Sequence, residues 1–342
     1  MGPTGSPTGN PKDNHNPTNK PTNIKDDTHT DIHHNILAAQ HPVLRTLLDI
    51  NYEVEPDSNP KPTGHPDPQP PEPIRFKWKQ IKDDPEWLLS CYQQLDQYED
   101  QDMFDKPQPK PNDANAWPLV WTFLLKPDRK KARCTVDGSK RWQRNIQLGQ
   151  TYANSLATDS ERLFWAIAAK RGLLVVGADV SNAFAEAPAP GNTFYIIPDH
   201  IFHSWWVNHK KRQPIPPGWV LRVKFALQGH PESPRLWEQH IRKILTGKLG
   251  YQSMHHERCL YQAVLYGHWT MLLRQVDDFA FAVETETNGR NIVNDIDQHL
   301  RIRIKYLGAL KMFNGMDITQ TKYYIKLNCT SYITRIIQQH QL

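Results

Sequence analysis

Two short apolar runs with an acidic pair between them form the clearest pattern in the chain. The runs Trp269 to Leu273 and Phe279 to Val283 are rich in strand-forming residues and too short for free-standing helices. The pattern predicts a β-hairpin with Asp277 and Asp278 at its tip. Two adjacent carboxylates repel each other unless a cation or water screens them. The pair therefore indicates a metal site, although Asp-Asp is also ordinary turn chemistry.

A second apolar run lies upstream, between Leu173 and Phe184, and carries one carboxylate, Asp179. This run is apolar enough to predict a strand buried on both faces, with Asp179 at its end. A strand-end Asp that faces a hairpin-tip Asp would supply ligands for two Mg²⁺ ions about 3.5 to 4 Å apart, the arrangement that polymerases use for phosphoryl transfer. Hard cations of this kind require oxygen ligands, and carboxylates supply them.

Apolar stripes at helical spacing predict further helices, which begin near Pro85, Thr158, Ser233 and Asn288. Thr158 to Glu161 fits a capping box, in which the Glu161 side chain would bind the first backbone N–H of the helix. Ser233 is predicted to be an N-cap residue, with Pro234 in the first helical turn. The last residues of the sequence predict the start of another helix.

A basic hairpin is predicted from Thr122 to Gly138, with Lys126 to Lys131 in the turn. A cluster of this kind is often only a solvated tip. The alternative is a hairpin that folds over a triphosphate, so that Lys126 and Arg133 reach phosphate oxygens.

Phe184 and the turn Gln228-Gly229 are further candidates. Phe184 is either a core aromatic or a bulky wall beneath an incoming sugar, where it would exclude a 2′-hydroxyl. Gly229 would let backbone approach a ligand closely, and the helix that follows favours an anion at its N-terminus. A plain helix cap explains Ser233 and Pro234 but leaves Gln228 unexplained.

Composition separates the first 74 residues from the rest. Residues 1–74 are rich in Pro, Asn, Asp, Thr, His and Gly, which predicts a disordered arm or linker. The 28 prolines and the mean hydropathy of −0.69 agree with an extensive polar segment. The net charge of +5 and the isoelectric point of about 8.9 permit a polyanionic partner.

The cysteines and the lengths of the apolar runs bear on the cellular compartment and on membrane association. Four scattered cysteines without a CxxC pair predict ordinary reduced thiols of an intracellular protein. No stretch approaches the roughly 20 apolar residues of a membrane span, so we expect no membrane association.

In sequence order, five motifs resemble the reverse transcriptases of copia-type retrotransposons: KAR with a following D-G, DVSNAF, ALQGxxxSPRLW, QVDDFAFA and YLGxLKxFNGMDI. The resemblance covers residues 75–342, which are expected to form the reverse transcriptase domain. It implies an α+β fold shaped like a right hand, with fingers, a palm built on an antiparallel sheet, and a partial thumb or connection. The expected activity is RNA-directed DNA synthesis from dNTPs on an RNA or DNA template-primer.

The resemblance also implies roles for individual residues. Asp179 and Asp277 would be the principal ligands of two Mg²⁺ ions, which Mn²⁺ could replace, with Asp278 assisting. The Val180 carbonyl would join them. The remaining roles are nucleotide binding by Lys126, Arg133, Gln228 and Gly229, sugar selection by Phe184, and a primer grip at Gly315 and Met316.

Two departures from the family pattern keep an alternative open. The family usually has Tyr where this chain has Gln275, and Glu232 places a negative charge near the expected nucleic acid. A catalytically inactive relic that binds nucleic acid is therefore the second hypothesis. A two-metal nuclease is the third, and it lacks an evident His or Glu near these motifs to activate water. The resemblance further implies a parent polyprotein, with integrase and RNase H regions as partners and cytoplasmic particles as the setting.

Overall fold

The computed structural model describes residues 74–126, 128–143, 149 and 151–340. The arm expected over residues 1–74 lies outside this part of the chain, except for Ile74, which begins the first strand. The described chain is a mixed α+β structure with three sheets, as expected for the fold class. Among the described residues, no helix is long and apolar enough to cross a membrane.

Strands and helices are numbered in chain order. The strands are β1 Ile74–Phe76, β2 Gln108–Pro109, β3 Asn115–Leu125, β4 Lys130–Val136, β5 Leu174–Val180, β6 Phe194–Ile197, β7 Trp219–Arg222, β8 Gln252–Ser253, β9 Leu260–Leu265, β10 His268–Gln275, β11 Asp278–Val283, β12 Ile304–Ala309, β13 Met312–Phe313, β14 Met316–Gln320 and β15 Ile325–Asn328. The α-helices are α1 Trp78–Ile81, α2 Pro85–Asp100, α3 Thr158–Lys170, α4 His200–Ser204, α5 Ser233–Gly247, α6 Glu286–Asp297 and α7 Thr330–His340. A 3₁₀ turn at Ala183–Glu186 follows β5, and a π-helical turn at Trp205–His209 follows α4.

The first sheet has the strand order β1-β3-β6-β7-β2, and β4 also pairs with β3. The hairpin β3–β4 matches the predicted basic hairpin, with Leu125 opposite Lys130 at its end. Helix α2 packs against this sheet through Trp87, Leu95 and Tyr98, which are all buried. Three features explain why α2 begins at Pro85. Its apolar residues have helical spacing, Pro85 suits the first turn, and the Asp84 side chain accepts a hydrogen bond from the N–H of Glu86.

The central sheet is antiparallel throughout, in the order β12-β5-β11-β10-β9-β8. It is buried on both faces, which accounts for the nearly continuous apolar runs of β5 and β11. Helices α5 and α6 cover one face through residues such as Trp237 and Ile296. Helix α3 and the third sheet cover the other, where Phe164 and Phe313 belong to one core cluster.

The third sheet, β13-β14-β15, is short and carries α7 after it. Strands β13 and β14 are joined by Asn314 and Gly315, whose φ angles of 47° and 80° are those of a tight hairpin turn. Asn and Gly tolerate these left-handed angles at little cost, which explains the short connection.

Two predicted helix starts were wrong in detail. Glu161 does not bind back to the start of α3. Its side chain is buried and accepts a hydrogen bond from Asn314 Nδ2 at 2.9 Å. Ser233 is the first residue of α5 rather than its cap, and its hydroxyl donates to the Leu227 carbonyl at 2.7 Å. In both cases a tertiary or loop partner replaces the local capping bond.

All four cysteines have free thiols, as predicted. Cys91, Cys134 and Cys259 are buried, and Cys329 is exposed.

Candidate active site

The three predicted carboxylates lie together where β5 ends and β11 begins. Asp179 and Asp278 are direct partners in the antiparallel pairing of these strands. Directly opposed residues project to the same face of a sheet, so both carboxylates belong to one surface. Asp277 lies in the turn that precedes β11, and its carbonyl accepts a hydrogen bond from the N–H of Val180 at 3.1 Å.

The turn between β10 and β11 consists of Val276 and Asp277, with Gln275 paired to Asp278 across its base. The predicted hairpin is therefore present, and Asp278 is the first residue of its second strand. Val276 has a φ of 55°, in the left-handed region. A β-branched residue seldom adopts this conformation, so the turn that carries Asp277 is strained.

The carboxylates at this turn hold their protons more tightly than isolated ones. Partial burial, and next the repulsion from Asp179, raise the pKa of Asp277 above its ordinary value. Partial burial is also the largest cause at Asp278, followed by the charges of Asp277 and Asp179, and together they raise its pKa to about 6, although the residue remains in contact with solvent. Negative charge is thus concentrated here.

This arrangement suits a hard cation chemically but is not a closed ligand cage. Carboxylate oxygens are the donors that Mg²⁺ and Mn²⁺ prefer, and a cation would relieve the repulsion that raises these pKa values. Within the described part of the chain, no group of three or more His, Cys, Asp or Glu is arranged to hold a metal ion. Asp179, Asp277 and Asp278 supply the carboxylate oxygens of this surface, but the structure does not arrange them as a ready-made ligand set.

Two basic side chains of the β3–β4 hairpin, those of Lys131 and Arg133, are close enough to interact electrostatically with the carboxylates. Lys131 and Arg133 alternate with buried Ala132 and Cys134, so both project to the same open face of β4. Burial, the largest cause, and the charges of Arg133 and Lys126 lower the pKa of Lys131.

The positive charges of Arg133 and Lys131 in turn offset part of the rise in the pKa of Asp277. The sequence analysis did not name Lys131 as a nucleotide-binding candidate. Its position two residues before Arg133 on a strand predicts that both side chains lie on the same face.

The two lysines that flank the tip of this hairpin differ in their contacts. Lys126 closes the tip, because its backbone N–H donates to Arg129 and its carbonyl accepts from the same residue. Lys130 is not available to a ligand in the same way, since its ammonium group contacts Asp84 and Glu86 on the first turn of α2.

Phe184 lies in the 3₁₀ turn just after β5, half-buried against the core beneath the central sheet. Asn182, with a φ of 62°, redirects the chain between Asp179 and this turn. The aromatic ring therefore packs against the core, as the first of the two interpretations predicts, and the turn that carries it follows the strand of Asp179.

Gln228 and Gly229 contact the base of the β3–β4 hairpin through backbone. The N–H of Val136 donates to the Gln228 carbonyl at 2.9 Å. A Cβ atom on Gly138 would lie 2.0 Å from the Gly229 carbonyl oxygen, and one on Gly229 would lie 2.1 Å from the Val136 carbonyl oxygen. Both glycines are thus required by close packing of two loops.

Asp137 of the D-G motif is a structural acid. Its carboxylate accepts from Arg141, from the Ser139 N–H at 3.0 Å and from Trp142 Nε1 at 2.9 Å. These bonds, above all the one to Arg141, lower the pKa of Asp137 well below its usual range.

Of the two predicted primer-grip residues, Gly315 shares a cleft with Asp278. Gly315 and Asp278 line the same cleft of about 350 Å³, together with Leu307 of β12 and Phe313 of the third sheet. Met316 begins β14, directly after Gly315. Ala178, Asp278 and Gly315, from three places in the chain, thus line one cleft.

Gln275, the departure from the family pattern, is tied to a neighbouring segment. Its side-chain oxygen accepts a hydrogen bond from the N–H of Leu156 at 3.3 Å. A tyrosine ring at this position could not accept that bond in the same way, so the substitution comes with its own local contact.

Comparison with known proteins identifies the family of this chain. The sequence model described as reverse transcriptase (RNA-dependent DNA polymerase) matches residues 107–342, more than half of the chain. The protein therefore belongs to the reverse transcriptase family, and its resemblance to the copia type is confirmed.

A relative is the retrovirus-related Pol polyprotein from transposon RE1 of Arabidopsis thaliana, 21% identical over 237 residues. The match covers 66% of this chain and only 15% of that polyprotein.

Proposed function

We propose that this protein is an RNA-directed DNA polymerase that extends a primer from dNTPs on an RNA or DNA template. The observation that carries the proposal is the pairing of Asp179 with Asp278 across β5 and β11, with Asp277 in the adjoining strained turn. In this assignment residues 75–342 are the polymerase domain. The first sheet serves as fingers, the central sheet as palm, and the third sheet with α7 as the beginning of a thumb or connection.

Asp179, Asp277 and Asp278, with the Val180 carbonyl, would hold two Mg²⁺ ions. When bound there, the ions would lower the pKa of the primer 3′-hydroxyl and neutralise the departing pyrophosphate. The chain itself supplies a fixed carboxylate geometry, because two of the three residues are locked in strand register. Their raised pKa values support a site that gains from cation binding.

The nucleotide would enter between the basic hairpin and the carboxylates. Arg133 and Lys131 lie on the open face of β4, near enough for their charges to act on Asp277, and Lys126 lies at the hairpin tip. These cations suit the phosphates of a dNTP. Phe184 would lie under the sugar, and Gln228 and Gly229 would border the base pair.

The primer end would rest on Gly315 and Met316. The cleft that Gly315 shares with Asp278 supports this placement, because the 3′-hydroxyl has to reach the carboxylates. Binding of the duplex through its phosphates would weaken with salt. Integrase and RNase H regions would act from elsewhere in a parent polyprotein.

The test is primer extension by the full chain on poly(rA)/oligo(dT) with dTTP and Mg²⁺, beside Asp277→Asn. Extension by the wild type that disappears in the variant supports the proposal. Equal extension by both proteins would contradict the assignment of Asp277.

A second candidate is an inactive protein that still binds nucleic acid. It is favoured by Gln275, whose side chain is engaged with Leu156 at a position where the family usually has an aromatic ring. Salt-dependent binding of the duplex by the wild type, without any extension, would support this candidate over the polymerase.

A further inference from the structure

A buried arginine lies directly beneath the carboxylate turn. Arg274 is the next-to-last residue of β10 and is only 2% exposed, in a strand whose preceding residues Met271 to Leu273 are apolar and fully buried. A buried guanidinium is costly unless its donors find partners. What Arg274 binds is therefore informative.

The guanidinium of Arg274 binds the turn rather than a carboxylate. Its Nη1 donates to the Val276 carbonyl at 3.3 Å, and its Nη2 contacts Cys259 Sγ at 3.7 Å. Its Nε has no hydrogen-bond partner, and among the described residues no carboxylate forms an ion pair with it. Nearby Glu238 and Glu257 are occupied by backbone N–H groups, including those of Asn154 and Ala157.

The Val276 carbonyl has a second donor. Trp237, fully buried on α5, donates its indole Nε1–H to the same oxygen at 2.7 Å. Two donors from different elements thus converge on the carbonyl of the one strained residue in this turn. Left-handed strain at a valine persists only where surrounding contacts hold it.

We propose that Trp237 and Arg274 are positioning residues, which hold the Val276 carbonyl and thereby keep Asp277 and Asp278 aimed at the surface they share with Asp179. The inference rests on the proposed polymerase function and concerns the same site. Neither side chain touches substrate. Without these two donors the strained turn would relax, and Asp277 would leave the position that its backbone bond to Val180 defines.

The decisive variant is Trp237→Phe, which removes the indole N–H and keeps an aromatic ring. Trp205→Phe is the matched control, because Trp205 is also buried and donates its Nε1–H to a side chain, Asp96, in the first sheet. Both variants lose one buried hydrogen bond, so we expect similar decreases in Tm. Only Trp237→Phe should affect the carboxylates.

Two measurements are made on the full chain. In primer extension we expect Trp237→Phe to lower kcat about 10- to 100-fold, with KM for dTTP within about twofold, since reacting groups are misplaced while nucleotide contacts remain. In a titration with Mn²⁺ alone, followed by electron paramagnetic resonance, Trp237→Phe should bind about 5-fold or more weakly than the wild type. Trp205→Phe should match the wild type in both.

Arg274 provides an independent variant if Trp237→Phe does not fold. Arg274→Met keeps the aliphatic stem and removes both donors, and Arg274→Lys restores one. We expect the loss of kcat and of Mn²⁺ affinity in Arg274→Met, with partial recovery in Arg274→Lys.

The outcomes separate the two proposals. If the wild type extends primers and binds Mn²⁺ while Trp237→Phe and Arg274→Met behave like Trp205→Phe, the positioning role is wrong and the polymerase function stands. If the wild type binds Mn²⁺ without extending primers, the polymerase function fails, and the Mn²⁺ affinities alone decide the positioning role. If the wild type does neither, both proposals are overturned.

Discussion

Two groups of carboxylates in this protein occupy opposite electrostatic environments. Asp96 and Glu99, on α2, form ion pairs with Lys210 and Arg212 at 2.5 to 3.0 Å. These contacts, acting against the desolvation of the two groups, lower the pKa of both acids. We call them the paired acids.

At the site carboxylates Asp277 and Asp278, burial and the repulsion among Asp179, Asp277 and Asp278 outweigh the charges of nearby basic side chains. Among the described residues none of the three forms an ion pair, and the pKa values of Asp277 and Asp278 are raised. Acidic side chains therefore stabilise the folded state on α2 and destabilise it at the turn between β10 and β11. Carboxylates that a fold keeps together at a cost to its own stability indicate a function outside folding.

The largest effect on primer extension and stability should come from replacing one acid in each group with the corresponding amide. Asp179→Asn should abolish primer extension, a loss of about 10³-fold or more, because the surviving carboxylates cannot supply the full ligand set. Its Tm should stay level or rise by about 1 to 3 °C, since one repelling charge is removed.

Asp96→Asn should do the reverse. It should lower Tm by about 2 to 4 °C, through partial loss of the bonds to Lys210 and Trp205, and leave extension unchanged. Primer extension and thermal unfolding of both variants test whether the two groups of acids have different roles. A loss of extension in Asp96→Asn would contradict that difference.

The cations offer the next contrast. Arg133→Ala should raise KM for dTTP about 10-fold with little change in Tm, because Arg133 is exposed on β4 and makes no ion pair among the described residues. Steady-state kinetics across dTTP concentrations provide the measurement.

Arg212→Ala is the matched variant. Arg212 binds Glu99 and lies over the Trp206 ring at 4.4 Å, so its loss should reduce Tm and leave KM unaltered. Equal KM values for dTTP in the two arginine variants would contradict the proposed contact between Arg133 and the nucleotide.

The smallest effect is in the pH dependence of stability. The pKa of Asp278 is about 6 in the folded protein and near 3.8 when unfolded. Between these values the folded state binds more protons, so its unfolding free energy should increase as the pH falls from 7 to 5. Thermal unfolding should therefore show that Asp278→Asn is more stable than the wild type at pH 7.5, by a margin that narrows toward pH 5.

Glu99→Gln is the control for that series. The pKa of Glu99 is lowered from 4.5, so its contribution to stability is complete above that value and is lost only at more acid pH. Its Tm difference from the wild type should stay constant between pH 7.5 and 5.

Added Mg²⁺ should stabilise the wild type at pH 7.5, and EDTA should reverse this, because a ligand that binds only the folded state stabilises it.

Much of the fold and of the carboxylate turn could be predicted from local pattern. Continuous apolar runs in β5 and β11 predict strands buried on both faces, and an acidic pair between two such runs can only lie in a turn. The pairing of Asp179 with Asp278 follows once the strands are neighbours, but their adjacency is a tertiary fact that resemblance to a family supplied.

Other features depend on partners that are distant in sequence. Glu161 fits a capping box locally, and its actual partner, Asn314, lies 153 residues away. Arg274 looks like a charge at the end of a strand until α5 brings Trp237 to the same carbonyl. Lys131 is the exception, since the alternation of β4 already places it beside Arg133.

The packing of Gly138 against Gly229 has a mechanical consequence. Backbone meets backbone there without room for even one methyl group, and the adjoining Val136 N–H bonds to Gln228. The base of the β3–β4 hairpin is thus fixed to the loop that leads into α5, and through α5 to the central sheet. Any closing movement of the basic tip over a nucleotide has to pivot along the strands beyond Val136, toward Leu125 and Lys130, rather than at the root of the hairpin.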